Sequence, residues 1–232
     1  MKLWITAAWI GARLALRRLG GRSTLLITLG AVVFATLAGW AERHANALTA
    51  AELALRGPAF GLAIPLASLA FVTVALARTR LDEAVGSVAL IGGNRRAAAF
   101  GALGGTAVIT AFVGLVTAAL TTIVAYGDVT GAAVGDAWTA AWIGGLTGGV
   151  YAFYFGLSSG FGKRGGGRIV ALLADLILGP LVGTAAVLFP RAHALNLLGA
   201  DPVLALPQAA SFAILVGMAG VFALSAALRT RP

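Results

Sequence analysis

Few side chains in this sequence have the chemistry to make or break a covalent bond. There is no cysteine, so a thiol nucleophile, a disulfide and a cysteine-held metal are all excluded. The stretch Gly156-Leu-Ser-Ser-Gly160 has the outline of a Gly-x-Ser-x-Gly turn, but a serine nucleophile needs a nearby base. His44 and His193 are the only histidines, and we predict both to lie outside the membrane. The sequence therefore predicts no catalytic residue and disfavours an intramembrane serine protease.

The glycine-rich stretch around Lys163 is a second candidate for chemistry. A phosphate-binding Walker loop has a glycine five residues before its Gly-Lys pair and a serine or threonine after the lysine. Leu157 and Arg164 occupy those positions, so the pattern fails twice. The two histidines have acidic neighbours but no converging ligands, and we predict them to be solvent-exposed without a metal. The chain is expected to hold no nucleotide, metal or other cofactor itself.

Asp175 is the only carboxylate predicted to lie well inside a membrane span. A charged side chain inside a membrane is energetically costly and usually faces protein or water. Asp175 lies seven residues from Arg168, about 10 Å along a helix and on the same face. Pairing with Arg168 or solvation from the inner side is the favoured interpretation. The alternative is that Asp175 lines a translocation path for a cation or a proton-coupled substrate.

The elements that must position these residues are membrane helices. Hydrophobic residues make up 59% of the chain and charged residues 11%, and the mean hydropathy is +0.94. A hydrocarbon core of about 30 Å needs about 20 apolar helical residues. We predict an all-α integral membrane protein, a single transmembrane domain over 1–232 with Pro65 and Pro180 kinking their spans. The six predicted spans lie near 24–41, 58–77, 97–125, 137–157, 169–189 and 209–227.

The fourth predicted span carries paired glycines. Gly144 and Gly148, and likewise Gly145 and Gly149, are spaced as Gly-x-x-x-Gly, a pattern that lets a neighbouring helix approach closely. We interpret these four residues as a helix-packing surface.

The basic residues define an orientation. With the amino terminus inside, all of the 17 Lys and Arg except Arg43, Arg56 and Arg191 fall on the cytoplasmic side. This asymmetry is expected because positive residues resist translocation. Both termini are therefore predicted to be cytoplasmic. Residues 1–22 precede the first span and place two tryptophans on one helix face and basic residues on another, which predicts an amphipathic helix lying in the membrane interface.

The cytoplasmic loop 78–96, between the second and third predicted spans, has the pattern of a short helix. Leu81, Val85 and Val88 repeat at helical spacing on one face. Asp82 and Glu83 occupy the first turn, where the helix dipole favours negative charge. A Gly92-Gly93 pair is expected to end this helix before Arg95 and Arg96 begin the next span.

The same loop resembles the coupling segment of permease subunits of ATP-binding cassette (ABC) transporters, above all the six-span ABC-2 type. The likeness rests on a short series of positions: Glu83, Gly86, Leu90, Gly92, Asn94, Arg95 and Arg96. The FtsX/MacB type of permease has a similar loop but four spans. Two features depart from the ABC-2 pattern: Ala89 stands where that family has a second acidic residue, and the proline usual before the serine-arginine pair is missing.

The resemblance implies that ATP hydrolysis and membrane passage are carried out by different subunits. A separate ATP-binding subunit would bind ATP and Mg²⁺ and accept the segment Leu81–Gly93 in a groove. A second permease chain, the same or different, would complete the transporter, and the outer loop 190–208 would dip into the outer leaflet. Tiny outer loops favour export, and Ala-, Gly- and Arg-rich composition favours a bacterial cytoplasmic membrane. The partners expected are therefore the ATP-binding subunit, a second permease and lipid, with no nucleic acid.

Three other interpretations stay open beside the permease. A self-contained channel or a secondary transporter would show polar groups or broken helices in the middle of the membrane. A structural membrane subunit of a larger complex would show neither. Under the permease hypothesis, Glu83→Arg or Val85→Asp should uncouple transport from ATP hydrolysis and leave membrane insertion intact.

Overall fold

The computed structural model describes residues 2–44, 46–90, 93–181 and 183–230, and all the regular elements in those ranges are helical. The α-helices are α1 (Lys2–Leu19), α2 (Arg22–Ala41), α3 (Ala47–Ala54), α4 (Ile64–Ala75), α5 (Leu81–Ala84), α6 (Gly86–Leu90), α7 (Arg95–Tyr126), α8 (Gly131–Ser158), α9 (Gly167–Leu178), α10 (Pro190–Leu197) and α11 (Gln208–Arg229). A π-helical segment, Leu55–Ala63, joins α3 to α4, and 3-10 turns span Glu42–His44, Lys163–Gly165, Thr184–Leu188 and Val203–Ala205.

Four helices among the described residues are long and apolar enough to cross a membrane: Arg22–Ala41, Ala47–Ala75, Arg95–Tyr126 and Gln208–Arg229. They correspond to the first, second, third and sixth predicted spans. Six spans are not confirmed. The fourth predicted span lies within α8, whose 28 residues are long enough, but whose glycines, tyrosines and tryptophans lower its hydropathy.

The fifth predicted span, 169–189, is not one helix. Helix α9 ends at Leu178 and is followed by Gly179 and Pro180 and then by the 3-10 turn Thr184–Leu188. Its 12 residues extend about 18 Å, short of a hydrocarbon core. Pro180 therefore follows a helix end and does not kink a continuous span.

The second candidate span starts earlier than predicted. It begins at Ala47, where the Asn46 side chain accepts a hydrogen bond from the Thr49 backbone N–H at 2.9 Å. The helix then widens into π turns over Leu55–Ala63, which contain Pro58 and Gly61, before α4 resumes regular geometry. Because proline has no N–H to donate, a wide turn accommodates it within a continuous helix.

Helix α1 has three distinct faces. Its small residues Ala7, Gly11 and Ala15 are buried, and a Cβ on Gly11 would lie 2.0 Å from the Ala98 carbonyl oxygen of α7. Trp9 is 63% exposed, and Arg13 on another side is exposed as well. This arrangement suits a helix that contacts protein, lipid and water at once.

Helices α7 and α8 form the central hairpin, and α7 also packs against α1, α2, α4 and α11. Asn94 caps the start of α7 through the Ala97 backbone N–H, and Thr130 caps α8 through that of Ala133. Where the two helices touch, a Cβ on Gly144 would lie 2.4 Å from the Gly114 carbonyl oxygen. Gly148 is as close to the Thr110 carbonyl oxygen, whereas Gly145 and Gly149 lie at ordinary contact distance.

The two ends of the bundle differ in charge. One end, which we call the arginine-rich end, gathers Arg18, Arg80, Arg168 and Arg229 around the loops that follow α4 and α8. The opposite end carries the acidic residues Glu52 and Asp136 with the two arginines Arg43 and Arg56. The loops that the sequence assigned to one side of the membrane therefore lie together in the fold.

Candidate functional site

A buried polar site lies where α9 ends and α10 begins. The first turn of α10 lies beside the last turn of α9. The Arg191 backbone N–H donates to Asp175 Oδ1 at 3.4 Å, and Arg191 Nη1 donates to the Leu176 carbonyl at 3.4 Å. The two short helices thus form an interrupted helix joined through Asp175.

Asp175 is fully buried and has a specific side-chain partner. The Tyr151 hydroxyl of α8 donates to Asp175 Oδ2 at 2.6 Å, and Tyr151 is itself fully buried. A buried carboxylate needs such donors because it has left water. Arg168, the partner favoured from the sequence, bonds elsewhere, so the pairing predicted between Asp175 and Arg168 is wrong. Whether Asp175 lines a path is not decided by these contacts.

Arg191 links the interrupted helix to the π-helical segment. A Cβ on Gly61 would lie 2.6 Å from Arg191 Nη2, and one on Gly179 would lie 3.0 Å from Arg191 Cβ. Both glycines therefore leave room for this side chain. Two irregular helical segments meet around one cation, and irregular turns of this kind are common at functional sites. The sequence placed Arg191 in an outer loop and gave no role to Gly61.

His193 belongs to a second polar cluster, where α10 packs on α11. It is fully buried, with Nδ1 at 3.1 Å from Ser211 Oγ and Nε2 at 2.9 Å from the Val187 carbonyl, so the prediction that it is solvent-exposed is wrong. A serine beside a histidine is the geometry of an activated nucleophile. Here Ser211 is also buried and accepts a hydrogen bond from Asn196 Nδ2 at 2.8 Å, so the cluster joins two helices and exposes no nucleophile.

The predicted coupling helix is present as two short pieces. Helix α5 ends at Ala84, and Val85 has φ −103° and ψ 3°, outside the α-helical region. Gly86, with its low helix propensity, follows the break. One continuous helix was predicted here, and that prediction is wrong. Gly92 and the Leu90 side chain lie outside the described residues.

The two pieces have a buried side and an exposed side. Leu81, Val85 and Val88 are at most 3% exposed and pack into the chain's own core. The opposite side presents Glu83 and Ser87 to solvent, with Asp82 and Gly86 partly exposed. The Glu83 carboxylate also accepts the Arg80 backbone N–H at 3.4 Å, which caps α5. Arg95 is partly exposed and Arg96 exposed at the start of α7.

Arginine side chains tie this segment to the rest of the arginine-rich end. Arg168, in the first turn of α9, donates through Nη2 to the Thr79 carbonyl at 3.1 Å, two residues before α5. Arg80 Nη2 donates to the Gly160 carbonyl at 3.0 Å. Arg18 of α1 donates to the Ala75 carbonyl at 2.9 Å and the Ala84 carbonyl at 3.4 Å. The coupling segment is therefore joined directly to α1, to α9 and to the loop after α8.

Two cavities lie at opposite ends of the bundle. At the arginine-rich end a cavity of about 180 Å³ lies between Arg80, Asp82 and Arg229. At the other end a cavity of about 540 Å³ is lined by the Glu52–Arg56 ion pair, Asp136 and Gln208. The larger cavity could hold a small polar or amphipathic molecule.

Metal binding finds no support in the described part of the chain, where no three His, Cys, Asp or Glu side chains come together. The Ser158 hydroxyl, at the nucleophile position of the Gly-x-Ser-x-Gly outline, donates to the Tyr154 carbonyl at 2.8 Å and is half-buried. The next serine, Ser159, is buried and donates to the Gly156 carbonyl at 2.6 Å. Among the described residues, the one hydrogen bond between a histidine and a serine joins His193 to Ser211. These contacts are structural in kind.

The apolar helices indicate an all-helical membrane protein. No family model matches the sequence, and neither the curated proteins nor the solved structures searched include a match. What the chain does must therefore be argued from its own residues.

Proposed function

We propose that the chain is the permease subunit of an ABC transporter, an exporter of the ABC-2 type, in a bacterial cytoplasmic membrane. ATP and Mg²⁺ bind to a separate subunit, and a second permease chain completes the pathway. The observation that carries this proposal is the Arg168–Thr79 hydrogen bond, because it connects the exposed coupling segment to the helix that ends at the interrupted site.

The exposed side of the coupling segment supports the first step. Asp82, Glu83 and Ser87 face solvent or lie near it, while the apolar side is fixed in the core. A rigid segment with a polar, acidic outer side can transmit force from a partner subunit because its inner side cannot slide. The contact with the ATP-binding subunit is thus assigned to Glu83 and Ser87 and not to Val85.

The second step runs through α9. A shift of Thr79 moves Arg168, and Asp175 lies about 10 Å further along the same helix. Asp175 holds the start of α10 and the Tyr151 hydroxyl, so a displacement of α9 acts on both. In this mechanism the interrupted helix changes the packing of α8 and α10 and opens the pathway toward the larger cavity.

Six crossings follow if α8 is the fourth and the interrupted pair α9–α10 the fifth. Helix α8 runs beside α7 from Gly114–Gly144 to Leu103–Gly156, which keeps it at membrane depth. The α9–α10 pair starts at Arg168 near the arginine-rich end and reaches Leu197 and Leu198 at the other end. Both termini then lie on the cytoplasmic side.

The test is a mild-detergent purification of the tagged chain from its native host, scored for a co-purifying subunit and for ATPase activity. We expect a stoichiometric ATP-binding partner with the wild type and its loss with Glu83→Arg. Asp128→Arg is the matched control, since Asp128 is also an exposed acidic residue but lies in the loop between α7 and α8. An ATPase-free preparation, or equal loss in both variants, would contradict the permease proposal.

A self-contained transporter is the second candidate, favoured by the interrupted helix with its buried Asp175 and adjacent Arg191. Such sites are typical of secondary transporters. Solute uptake into vesicles by the ATPase-free chain, abolished by Asp175→Asn, would establish this candidate in place of the permease.

A further inference from the structure

A surface groove runs along α2 and α4 toward the arginine-rich end. Its first part is a cavity of about 260 Å³ between Phe34 and Ala31 of α2 and Ala67 of α4. Ala63, the last residue of the π-helical segment, also lines it. A second cavity of about 570 Å³ adjoins it, and the two share Ile27 and Leu66. The walls of both parts are chiefly aliphatic.

The groove has the length of one membrane leaflet. From Ala63 to Val74 along α4 it extends about 17 Å, close to half of a hydrocarbon core of about 30 Å. Helix α2 leaves it open, because only 11% of its most apolar stretch is buried within the chain and a Cβ on Gly30 would meet nothing within 4 Å. Leu66 and Ile169 on its rim are 45% and 58% exposed.

The groove ends at a buried cation with spare donor capacity. Arg168 is 3% exposed and lines the groove. Its Nε and Nη2 donate to backbone carbonyls, but Nη1 has no hydrogen-bond partner among the residues that the structure describes. Carbonyl groups leave the charge of a guanidinium unneutralised, and a buried charge without a counter-charge is costly. The site therefore favours an anion.

Two further arginines stand beside Arg168 at the same end of the groove. Arg78 and Arg164 are exposed, and no Asp or Glu is among the described residues that line this cavity. Both have left-handed backbones, with φ 60° and 51°, which costs about 1 kcal/mol for a residue other than glycine. The three cations lie together at one end of the apolar groove.

We propose that this groove binds an anionic phospholipid of the leaflet at the arginine-rich end. The acyl chain lies between α2 and α4, and the phosphate contacts the exposed Arg78 and Arg164 beside the buried Arg168, whose uncompensated charge attracts it. Basic pockets between membrane helices are known to hold such headgroups. A soluble phosphate would bind the arginines alone and leave the apolar wall, about 17 Å long at 1.5 Å per helical residue, without a ligand. A lipid accounts for both the basic and the apolar part of the groove.

The experiment uses the full chain, delipidated in detergent and then titrated with dioleoylphosphatidylglycerol or dioleoylphosphatidylcholine. Bound lipid is counted by native mass spectrometry and the Tm is recorded. We expect selective retention of phosphatidylglycerol, weakened about fivefold for each arginine removed in Arg78→Gln and Arg164→Gln. Arg168 is left intact because its other nitrogens support the loop.

Matched variants separate this site from general lipid binding. Arg13→Gln with Arg17→Gln removes two exposed arginines of α1 and should leave retention unchanged. Ala70→Trp should fill the groove and expel the lipid while all three arginines remain. Equal retention of both lipids, equal loss in the α1 control, or a Tm rise with inorganic phosphate alone that matches the lipid would overturn the proposal.

Discussion

At the scale of single residues, the Tyr151–Asp175 hydrogen bond joins two fully buried polar groups on different helices. Asp175 has two donors, the Tyr151 hydroxyl and the Arg191 backbone N–H, and the first is much the shorter at 2.6 Å against 3.4 Å. A buried carboxylate that loses its stronger donor keeps the full cost of desolvation.

Tyr151→Phe should therefore lower the free energy of unfolding by about 1–3 kcal/mol, the usual cost of leaving a buried polar group without its partner. Tyr154→Phe is the matched control, because Tyr154 is half-buried and its hydroxyl donates to the Ala171 carbonyl of α9. Thermal unfolding in detergent measures both. A loss in Tyr154→Phe as large as that in Tyr151→Phe would contradict the special role of the carboxylate.

Single residues also mark where sequence reasoning succeeds. Arg95 and Arg96 were predicted to begin the third span, and α7 begins at Arg95 with the Asn94 side chain as its cap. Such local signals are readable because cap and helix are adjacent. The Tyr151–Asp175 contact joins residues 24 apart on different helices, and no pattern in the sequence specifies it.

At the scale of elements, the interrupted helix was hidden by composition. The stretch 169–189 is almost wholly apolar, so hydropathy predicts one span across it. Gly179-Pro180 was the local signal for a break, because Gly-Pro pairs mark turns.

The coupling segment shows the opposite case, in which the sequence pattern is correct but its meaning is not. Its apolar repeat correctly marks one side, but periodicity alone cannot tell whether that side contacts a partner or, as with Val85, the chain itself.

The α7–α8 hairpin gives a prediction at this scale. Gly144→Ala should lower the free energy of unfolding by about 1–3 kcal/mol, because its Cβ would meet the Gly114 backbone at 2.4 Å and the helices would have to separate. Gly145→Ala, on the same helix with its nearest contact at 3.4 Å, should change stability much less. Chemical unfolding of both variants, with the folded fraction followed by size-exclusion chromatography, compares them directly.

If Gly144→Ala and Gly145→Ala unfold alike, the close approach of α7 and α8 does not limit stability. An increase in stability for both would mean that the loss of glycine flexibility in the unfolded chain outweighs the contact.

At the scale of the whole molecule, the charge pattern and the fold agree on which loops lie at the same end of the bundle. The residues that the positive-inside pattern placed on one side come from four separate stretches of sequence, and the fold brings their loops to one end of the bundle. Charge asymmetry can be predicted from the distribution of Lys and Arg along the sequence. The number of membrane crossings cannot be predicted in this way, because it depends on how α9 and α10 are joined.

Cysteine labelling can count the crossings, since the natural chain has no cysteine. Single cysteines replace four residues that are exposed in the structure: Ser87, Lys163, Asp128 and Asp201. A membrane-impermeant maleimide applied to intact cells should label positions 128 and 201, whereas positions 87 and 163 should react only after the cells are opened. Positive residues resist translocation, so the orientation proposed above has the Lys163 loop inside. Labelling of positions 163 and 201 from the same side would show that α9 and α10 enter and leave by one face, and the carboxyl terminus would then lie opposite the amino terminus.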